Sequence, residues 1–213
     1  VLGEEDGASA GLARAEHVVG RLENVSTICI GPDDDMDMRR REIIAAAKST
    51  DSGAGVVICP TTEANLGDGL PDLPRWLASA TPLSIGSDSQ VGRDALEELR
   101  LLEFGQRLTL RRRNVAADPQ HEPATAARLF ERVLAGGGAA AGHAQWGLIE
   151  GARADLLVAD ASCEATLGMP KDSLLDALVF AGAARPWRDL LVAGGGVRRE
   201  HQPPQGAPIA SRV

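Results

Sequence analysis

Tyrosine is absent from this 213-residue sequence, and aromatic residues make up only 3% of it. A core without many rings has to be built from Ala, Leu, Val and Ile, which bury less apolar area per side chain. Long apolar runs are also missing: none approaches the roughly 18–20 residues that a membrane span needs. The first residues lack the basic and then apolar layout of a signal peptide. We therefore expect no association with a membrane.

Cysteine and positive charge are scarce as well. Cys29, Cys59 and Cys163 are far apart and form no CxxC pair, which argues against a disulfide framework and favours a reducing cytoplasm. The net charge of −8 argues against a nucleic-acid partner, which needs a basic face. The one tight basic run, Arg111–Arg113, is typical of a solvated helix end.

The chain does contain short β-branched runs that alternate with segments of helical periodicity. This order predicts a parallel α/β sheet with right-handed crossovers. A loop is expected over Pro60–Gly69, and Gly136–Gly138 are expected to end the last helix of this part. The predicted strands are Val25–Ile30, Gly55–Cys59 and Leu83–Gly86, and the main helices are Met38–Lys48, Asp94–Leu108 and Ala124–Ala135.

After Trp146 the pattern changes to shorter elements. The sequence predicts a turn and a strand over Gly147–Asp160, a short helix over Leu174–Phe180 and a hairpin over Asp189–Arg199, with its turn at Gly194–Gly196.

Asp88 is the leading candidate for chemistry. It follows a predicted buried strand and precedes a strong helix. In α/β barrels the catalytic residues lie at this carboxyl end of the strands. On the helix that follows, Glu97–Arg100 and Glu103–Arg107 have the spacing of ion pairs on an exposed face.

Three motifs carry a resemblance to the amidohydrolase superfamily, and within it to the formimidoylglutamate deiminases. They are CPTTEANLGDG (Cys59–Gly69), IGSDS (Ile85–Ser89) and EELRLLEFGQRL (Glu97–Leu108). The later GLIEGARADLLVAD and DLLVAGGGV resemble the segment in which that superfamily's chain returns to a small β-sandwich.

The resemblance implies an α/β fold of (β/α)₈ barrel type plus a β-sandwich. Such a barrel alone takes about 250 residues. We therefore expect the C-terminal part only: the last three or so βα units and a fragment of the sandwich. The expected divisions are a weakly ordered segment over 1–24, a partial barrel over 25–145, a sandwich-type segment over 146–200 and a flexible tail over 201–213.

The resemblance also implies a zinc-dependent hydrolysis of the C=N bond of N-formimino-L-glutamate, in histidine degradation. Zinc makes hydroxide available near neutral pH. By its motif, Asp88 is the residue that helps to bind the metal and that moves the proton. Glu63, Asn65 and Ser89 are expected to face the substrate.

Most of the family's metal ligands have no counterpart here. Zinc catalysis needs about three protein ligands, but no two of the four histidines form HxH, and none ends a predicted strand. Gln90 stands where the family usually has histidine, and Gly31–Asp35 replace a histidine-bearing stretch. We expect the isolated chain to bind zinc weakly and to turn over no substrate. The four histidines are His17, His121, His143 and His201.

Two local features have ordinary explanations. The acidic run Asp33–Asp37 suits the start of a helix better than a Ca²⁺ or Mg²⁺ site, because an EF-hand's glycine and distal glutamate do not follow in register. Cys59 is expected to be a small buried hydrophobe.

Two other functions stay open. The chain could be a non-catalytic half-barrel that pairs, through an open sheet edge, with a second copy or with a complementing N-terminal half. It could also be another deaminase of the superfamily, acting on a nucleobase or a triazine ring.

Overall fold

The computed structural model describes residues 27–29, 55–182 and 186–198. These fall into two compact units, the first ending at His143 and the second beginning at Ala144. The expected helix Met38–Lys48, the acidic run and the two terminal segments lie outside the described residues. No described helix is long and apolar enough to cross a membrane.

The first unit contains a three-stranded parallel sheet in the order β1 (Thr27–Cys29), β2 (Gly55–Ile58) and β3 (Leu83–Ile85). Ile28 pairs with Val56, and Val57 pairs with Ser84. The predicted parallel sheet is therefore confirmed. Since all strands run the same way, their carboxyl ends meet at one edge of the unit.

The loop predicted over Pro60–Gly69 is wrong, because helix α1 (Pro60–Leu66) forms there. Proline at the first helical position is favourable, since its fixed φ suits a helix and its missing N–H would have no helical partner. Gly67 ends the helix in the left-handed conformation, at φ 76°. The proline thus starts this helix, where the sequence pattern had indicated a loop.

Two further helices begin at aspartate caps. Asp72 Oδ1 accepts from Arg75 N at 3.2 Å at the start of α2 (Leu73–Ala78). Asp94 Oδ1 accepts from Leu96 N at 2.9 Å at the start of α3 (Ala95–Leu110). The basic run then begins at Arg111, the left-handed end of α3, and its side chains are exposed, as predicted.

The prediction that Gly136–Gly138 end a helix is also wrong. Helix α4 (Thr125–Ala140) runs through all three glycines. A Cβ on Gly136 would lie 2.0 Å from Leu83 O, whereas a Cβ on Gly137 would meet nothing within 4 Å. Gly136 is therefore explained by the approach of α4 to the backbone of β3.

This contact lies on the side of β3 that faces away from β2. Val56 N donates to Pro82 O at 2.8 Å, and Gly86 N donates to Ile58 O at 3.0 Å. Alternate residues of a strand turn their backbone groups to opposite sides, so Leu83 turns its N–H and C=O away from β2. Helix α4 thus covers the outer edge of β3 at Leu83, part of the edge expected to be open.

Between the sheet and the helices lies a core made mostly of leucine, as the scarcity of aromatic residues predicts. Trp76 is its one buried ring in the described part of this unit. The largest fully buried apolar side chains of this unit are Ile58, Leu73, Leu83, Leu99, Leu102 and Leu129.

Helix α3 also buries charge. Glu103 is fully buried, so the expectation of an exposed Glu103–Arg107 pair is wrong, although the ion pair itself forms at 2.7 Å. The same carboxylate accepts from Val115 N at 2.8 Å and from Ala116 N at 3.0 Å. Burial of Glu103 is tolerated because its two oxygens have these donors.

The second unit has an antiparallel sheet in the order β4 (Leu156–Ala159), β5 (Trp187–Val192) and β6 (Gly195–Arg198). The predicted helix is confirmed as α5 (Leu174–Phe180), after a short 3-10 turn. The hairpin is confirmed, but its turn is at Ala193 and Gly194, whose φ angles of 50° and 78° are typical of type I′. The expected turn glycines 195 and 196 belong to β6.

Candidate active site at the carboxyl end of the parallel sheet

The carboxyl ends of β2 and β3 lie side by side and lead into two short connections. Strand β2 passes through Cys59 directly into α1, and β3 passes into the segment Gly86–Gln90. Cys59 is buried, as expected, and its sulfur lies 3.5 Å from the position of a Cβ on Gly86. The two connections are therefore packed against each other.

Asp88 lies in a tight turn of the second connection. The turn is closed by Gln90 N, which donates to Ser87 O at 2.8 Å. Asp88 is exposed and has φ 44°, in the left-handed region that few residues other than glycine adopt. Such strain persists where surrounding contacts hold it, and it is concentrated at functional sites.

Those surrounding contacts come from Thr62, in the first turn of α1. Its hydroxyl donates to Ser87 O at 2.7 Å and accepts from Gln90 N at 3.1 Å. Ser89 Oγ lies 3.5 Å from the same hydroxyl. Thr62 thus bonds to the residues immediately around Asp88.

The neighbouring Thr61 bonds to α3 instead. Its N–H donates to Glu98 Oε2 at 2.9 Å, and its hydroxyl donates to Glu98 Oε1 at 2.5 Å. Glu98 is only 3% exposed. The two threonines therefore attach α1 to both ends of the segment that runs from Ser87 to Glu98.

The remaining predicted site residues lie nearby in different environments. Glu63 is buried, and its Oε1 accepts from Cys59 N at 3.4 Å, so it caps the start of α1. Asn65 lies on α1 with its side chain exposed, and Ser89 is exposed next to Asp88. Their roles toward a substrate stay predictions. The side chain of Gln90 turns back, with Oε1 accepting from Val91 N at 3.0 Å.

Sequence reasoning missed Thr61, Thr62 and Glu98. Each threonine's partner is 25 or more residues away in sequence. The available signal was a Thr-Thr pair directly after a buried strand, which is the position from which side chains reach neighbouring strand ends. The pattern of α3 could not have separated Glu98 from its exposed neighbour Glu97.

The described residues do not fit a zinc centre. They contain no group of three or more His, Cys, Asp or Glu side chains able to hold a metal ion. Zinc sites need about three protein ligands, and Asp88 supplies one carboxylate. His121 lies in an exposed turn, and His143 lies just beyond the end of α4.

A cleft of about 520 Å³ lies at the other end of β3, near Leu83. Asp118 in its wall has a pKa below the ordinary value of 3.8, chiefly because Gln120 N donates to it and also because of His121 and Arg128. Arg132 donates to the carbonyl oxygens of Trp76, Ser79 and Thr81, the segment that leads into β3.

Known proteins match different parts of the chain. A family model described as the PTS system fructose IIA component matches residues 5–59 and ends at the first residue of CPTTEANLGDG. Formimidoylglutamate deiminase of Pseudomonas aeruginosa is 44% identical over 160 residues, which is 75% of this chain and 34% of the deiminase. The chain therefore spans about a third of the length of this curated relative.

Solved structures share the fold. An amidohydrolase from Brucella melitensis has 30% identity and a TM-score of 0.73, over 89% of this chain and 40% of its own. An adenosine deaminase from Xanthomonas campestris with bound zinc has 20% identity and a TM-score of 0.67, over 93% and 45% of the two chains. Atrazine chlorohydrolase of Arthrobacter aurescens complexed with zinc has 19% identity and a TM-score of 0.66, over 85% and 38%.

The parallel sheet and its packed helices are thus those of an α/β protein related in fold to TIM-barrel enzymes. The chain belongs to the amidohydrolase superfamily. Its curated relative is named for deiminase activity and one structural neighbour for deaminase activity.

Proposed function

We propose that this chain supplies one wall of the active site of a deiminase that hydrolyses the C=N bond of N-formimino-L-glutamate, in histidine degradation. Asp88 is its catalytic residue. The observation that carries the proposal is the exposed, strained Asp88 at the carboxyl end of a parallel strand, in a chain 44% identical to a formimidoylglutamate deiminase.

The proposed reaction consumes one water. The water oxygen bonds to the formimino carbon, the C–N bond to the terminal nitrogen breaks, and ammonia leaves with both water protons, so that N-formyl-L-glutamate remains. A carboxylate at the site can accept a proton from water and pass it to the departing nitrogen. Asp88 supports this role because its side chain is exposed while its backbone is held by Thr62.

Zinc belongs to the proposed enzyme, but the described part of this chain does not fit it, and we assign Asp88 no metal-dependent step. A complete site would need ligands from outside the described residues, in the same polypeptide or in a complementing one. We propose that the working form is completed in this way and that its partners are a small molecule and such a segment, with neither nucleic acid nor membrane.

A segment exchange tests the role of Asp88. The part of the Pseudomonas aeruginosa deiminase that aligns with Val56–Leu110 is replaced by these residues, and ammonia release from N-formimino-L-glutamate is measured. We expect an active chimera, and Asp88→Asn is expected to lower its rate by about 10²–10⁴-fold. Asp68→Asn, which changes another carboxylate after α1, is the matched control and should leave the rate within about twofold.

Two outcomes would count against the proposal. A folded D88N chimera as active as its parent would remove Asp88 from the chemistry. A chimera that prefers a purine or a triazine to N-formimino-L-glutamate would instead favour another deaminase of the superfamily.

A further inference from the structure

We propose that Thr62 is the positioning residue for Asp88 and that it acts by bonding to the backbone on both sides of the aspartate. This inference rests on the proposed function of Asp88, which it deepens. Thr62 is 4% exposed and belongs to α1, so it reaches the Asp88 turn from a separate element.

The partners of the Thr62 hydroxyl determine in which hydrogen bond it donates and in which it accepts. A threonine hydroxyl has one proton, and its short 2.7 Å contact with Ser87 O uses it, because a carbonyl oxygen can only accept. The lone pairs of Oγ1 then accept from Gln90 N at 3.1 Å, and the same N–H also donates to Ser87 O at 2.8 Å, so the two oxygens share it. One hydroxyl therefore binds the first and the last residue of the Ser87–Gln90 turn, with Asp88 between them.

This arrangement explains how Asp88 keeps its conformation. A φ of 44° is uncommon for a residue other than glycine, although aspartate adopts the left-handed region more readily than most, and such a conformation persists where the surrounding structure holds it. The turn's own bond, Gln90 N to Ser87 O, closes the turn. The Thr62 hydroxyl attaches this closed turn to α1, so the backbone of Asp88 keeps its place relative to the carboxyl end of β2.

The attachment extends beyond the turn. Thr61 holds Glu98 of α3 through two bonds, so the chain that leaves Asp88 is fixed to α1 again ten residues later. Because Thr61 and Thr62 hold different places, their effects can be separated. Thr62 acts on the Asp88 turn, and Thr61 acts on α3.

The test measures amide hydrogen exchange in the full chain, because the Gln90 N–H is itself one of the Thr62 bonds. Thr62→Val keeps the shape of the side chain and removes the hydroxyl. We expect it to speed exchange of the Gln90 amide about tenfold, and Thr62→Ser, which restores a hydroxyl, to return the rate to within about threefold of the parent. Thr61→Val is the matched control and should leave Gln90 exchange unchanged relative to the rest of the sheet.

The outcomes separate the two claims. Equal Gln90 exchange in the parent and T62V would overturn the positioning role and leave the proposed chemistry of Asp88 standing. If T62V speeds exchange of every sheet amide equally and T62S does not restore it, Thr62 only stabilises the fold, and the inference is also overturned. A dispensable Asp88 in the segment exchange would remove the proposed function without changing the exchange result.

Discussion

The two ends of strand β3 are built differently. At the carboxyl end, an exposed and strained Asp88 lies in a turn that is held by the hydroxyl of Thr62. At the amino end, helix α4 packs its Gly136 against Leu83, and Arg132 donates to the carbonyl oxygens that precede the strand. The carboxylate of Asp88 is thus exposed at one end, whereas the guanidinium of Arg132 at the other end bonds to the backbone.

The carboxyl end of β3 thus leads to the residue proposed for the chemistry, and its amino end has the contacts that stabilise the fold. In barrel enzymes the carboxyl face holds the catalytic residues, and the opposite face stabilises the fold. We expect the same division here between the two ends of β3. Changes at the amino end should therefore alter the free energy of unfolding most, and removal of the Asp88 carboxylate should alter chiefly the chemistry.

The largest effect on stability is expected from Glu103, on the half of α3 farther from Asp88. Glu103→Gln places an amide donor against N–H groups that now find an acceptor. We expect a loss of about 3 kcal/mol in the free energy of unfolding, measured by urea titration. Glu97→Gln, at an exposed position of the same helix, should change it by less than about 0.5 kcal/mol; equal effects would show that the buried network is unimportant.

Gly136→Ala should follow, with a loss of about 2–3 kcal/mol, because the new methyl group would meet the backbone of Leu83. Gly137→Ala, one residue along the same helix, has open space and should stabilise by up to about 1 kcal/mol through helix propensity. Thermal unfolding of the pair measures the difference. If both variants gain stability, the close approach of α4 to β3 is wrong.

Asp118, near the amino end of β3, should make the free energy of unfolding depend on pH. Its pKa is lowered in the folded chain, chiefly by the Gln120 N–H, so it stabilises the fold above its unfolded pKa, and this is lost as pH falls through the folded pKa. Asp118→Asn should therefore be less stable than the parent at pH 6, and the difference should vanish as the pH falls through the lowered pKa of Asp118 in the folded chain. Unfolding titrations at a series of pH values measure this. A difference that is independent of pH would contradict the lowered pKa.

The smallest effect on stability is expected at Asp88. Asparagine tolerates the left-handed region about as well as aspartate, so Asp88→Asn should change the free energy of unfolding by less than about 0.5 kcal/mol. Asp88→Ala should cost about 1 kcal/mol, because alanine does not tolerate that region. Urea titration compares the two. A large loss of unfolding free energy in D88N would mean that the carboxylate stabilises the fold. The two ends of β3 would then not differ in the way proposed.

The sheet and most helices could be predicted from local patterns. The β-branched runs around Ile28 and Val57 and the short apolar segment Leu83–Gly86 predict strands, because buried parallel strands favour such side chains. Asp72 and Asp94 mark helix starts because their carboxylates accept from N–H groups two or three residues on. These are interactions between neighbours in sequence, and the sequence displays them directly.

The errors have a common physical cause. Proline occurs both in loops and at the first position of helices, and glycine occurs both at helix ends and where a helix approaches another backbone. The sequence around Pro60 and Gly136 does not show which of the two applies. The glycines of α4 look like a helix end until the close approach of β3 is known. The burial of Glu103 depends on Val115 and Ala116, which lie beyond the helix.

The candidate site could be predicted in part. Asp88 follows from its position after a strand and from its motif. Thr62 does not, because its bonds join residues 25 and 28 positions away. The motif thus identified the residue proposed for the chemistry, and the structure identified the residue that holds it.

The most direct measurement of the central claim is ammonia release from N-formimino-L-glutamate by the chain itself, with zinc added, before and after Asp88→Asn. The described residues contain no group of three or more side chains able to hold a metal ion, and Asp88 is the one proposed catalytic carboxylate among them. The account therefore predicts no release above the uncatalysed rate from either protein. A zinc-dependent rate in the parent that D88N abolishes would show a complete active site in this chain and would contradict the account.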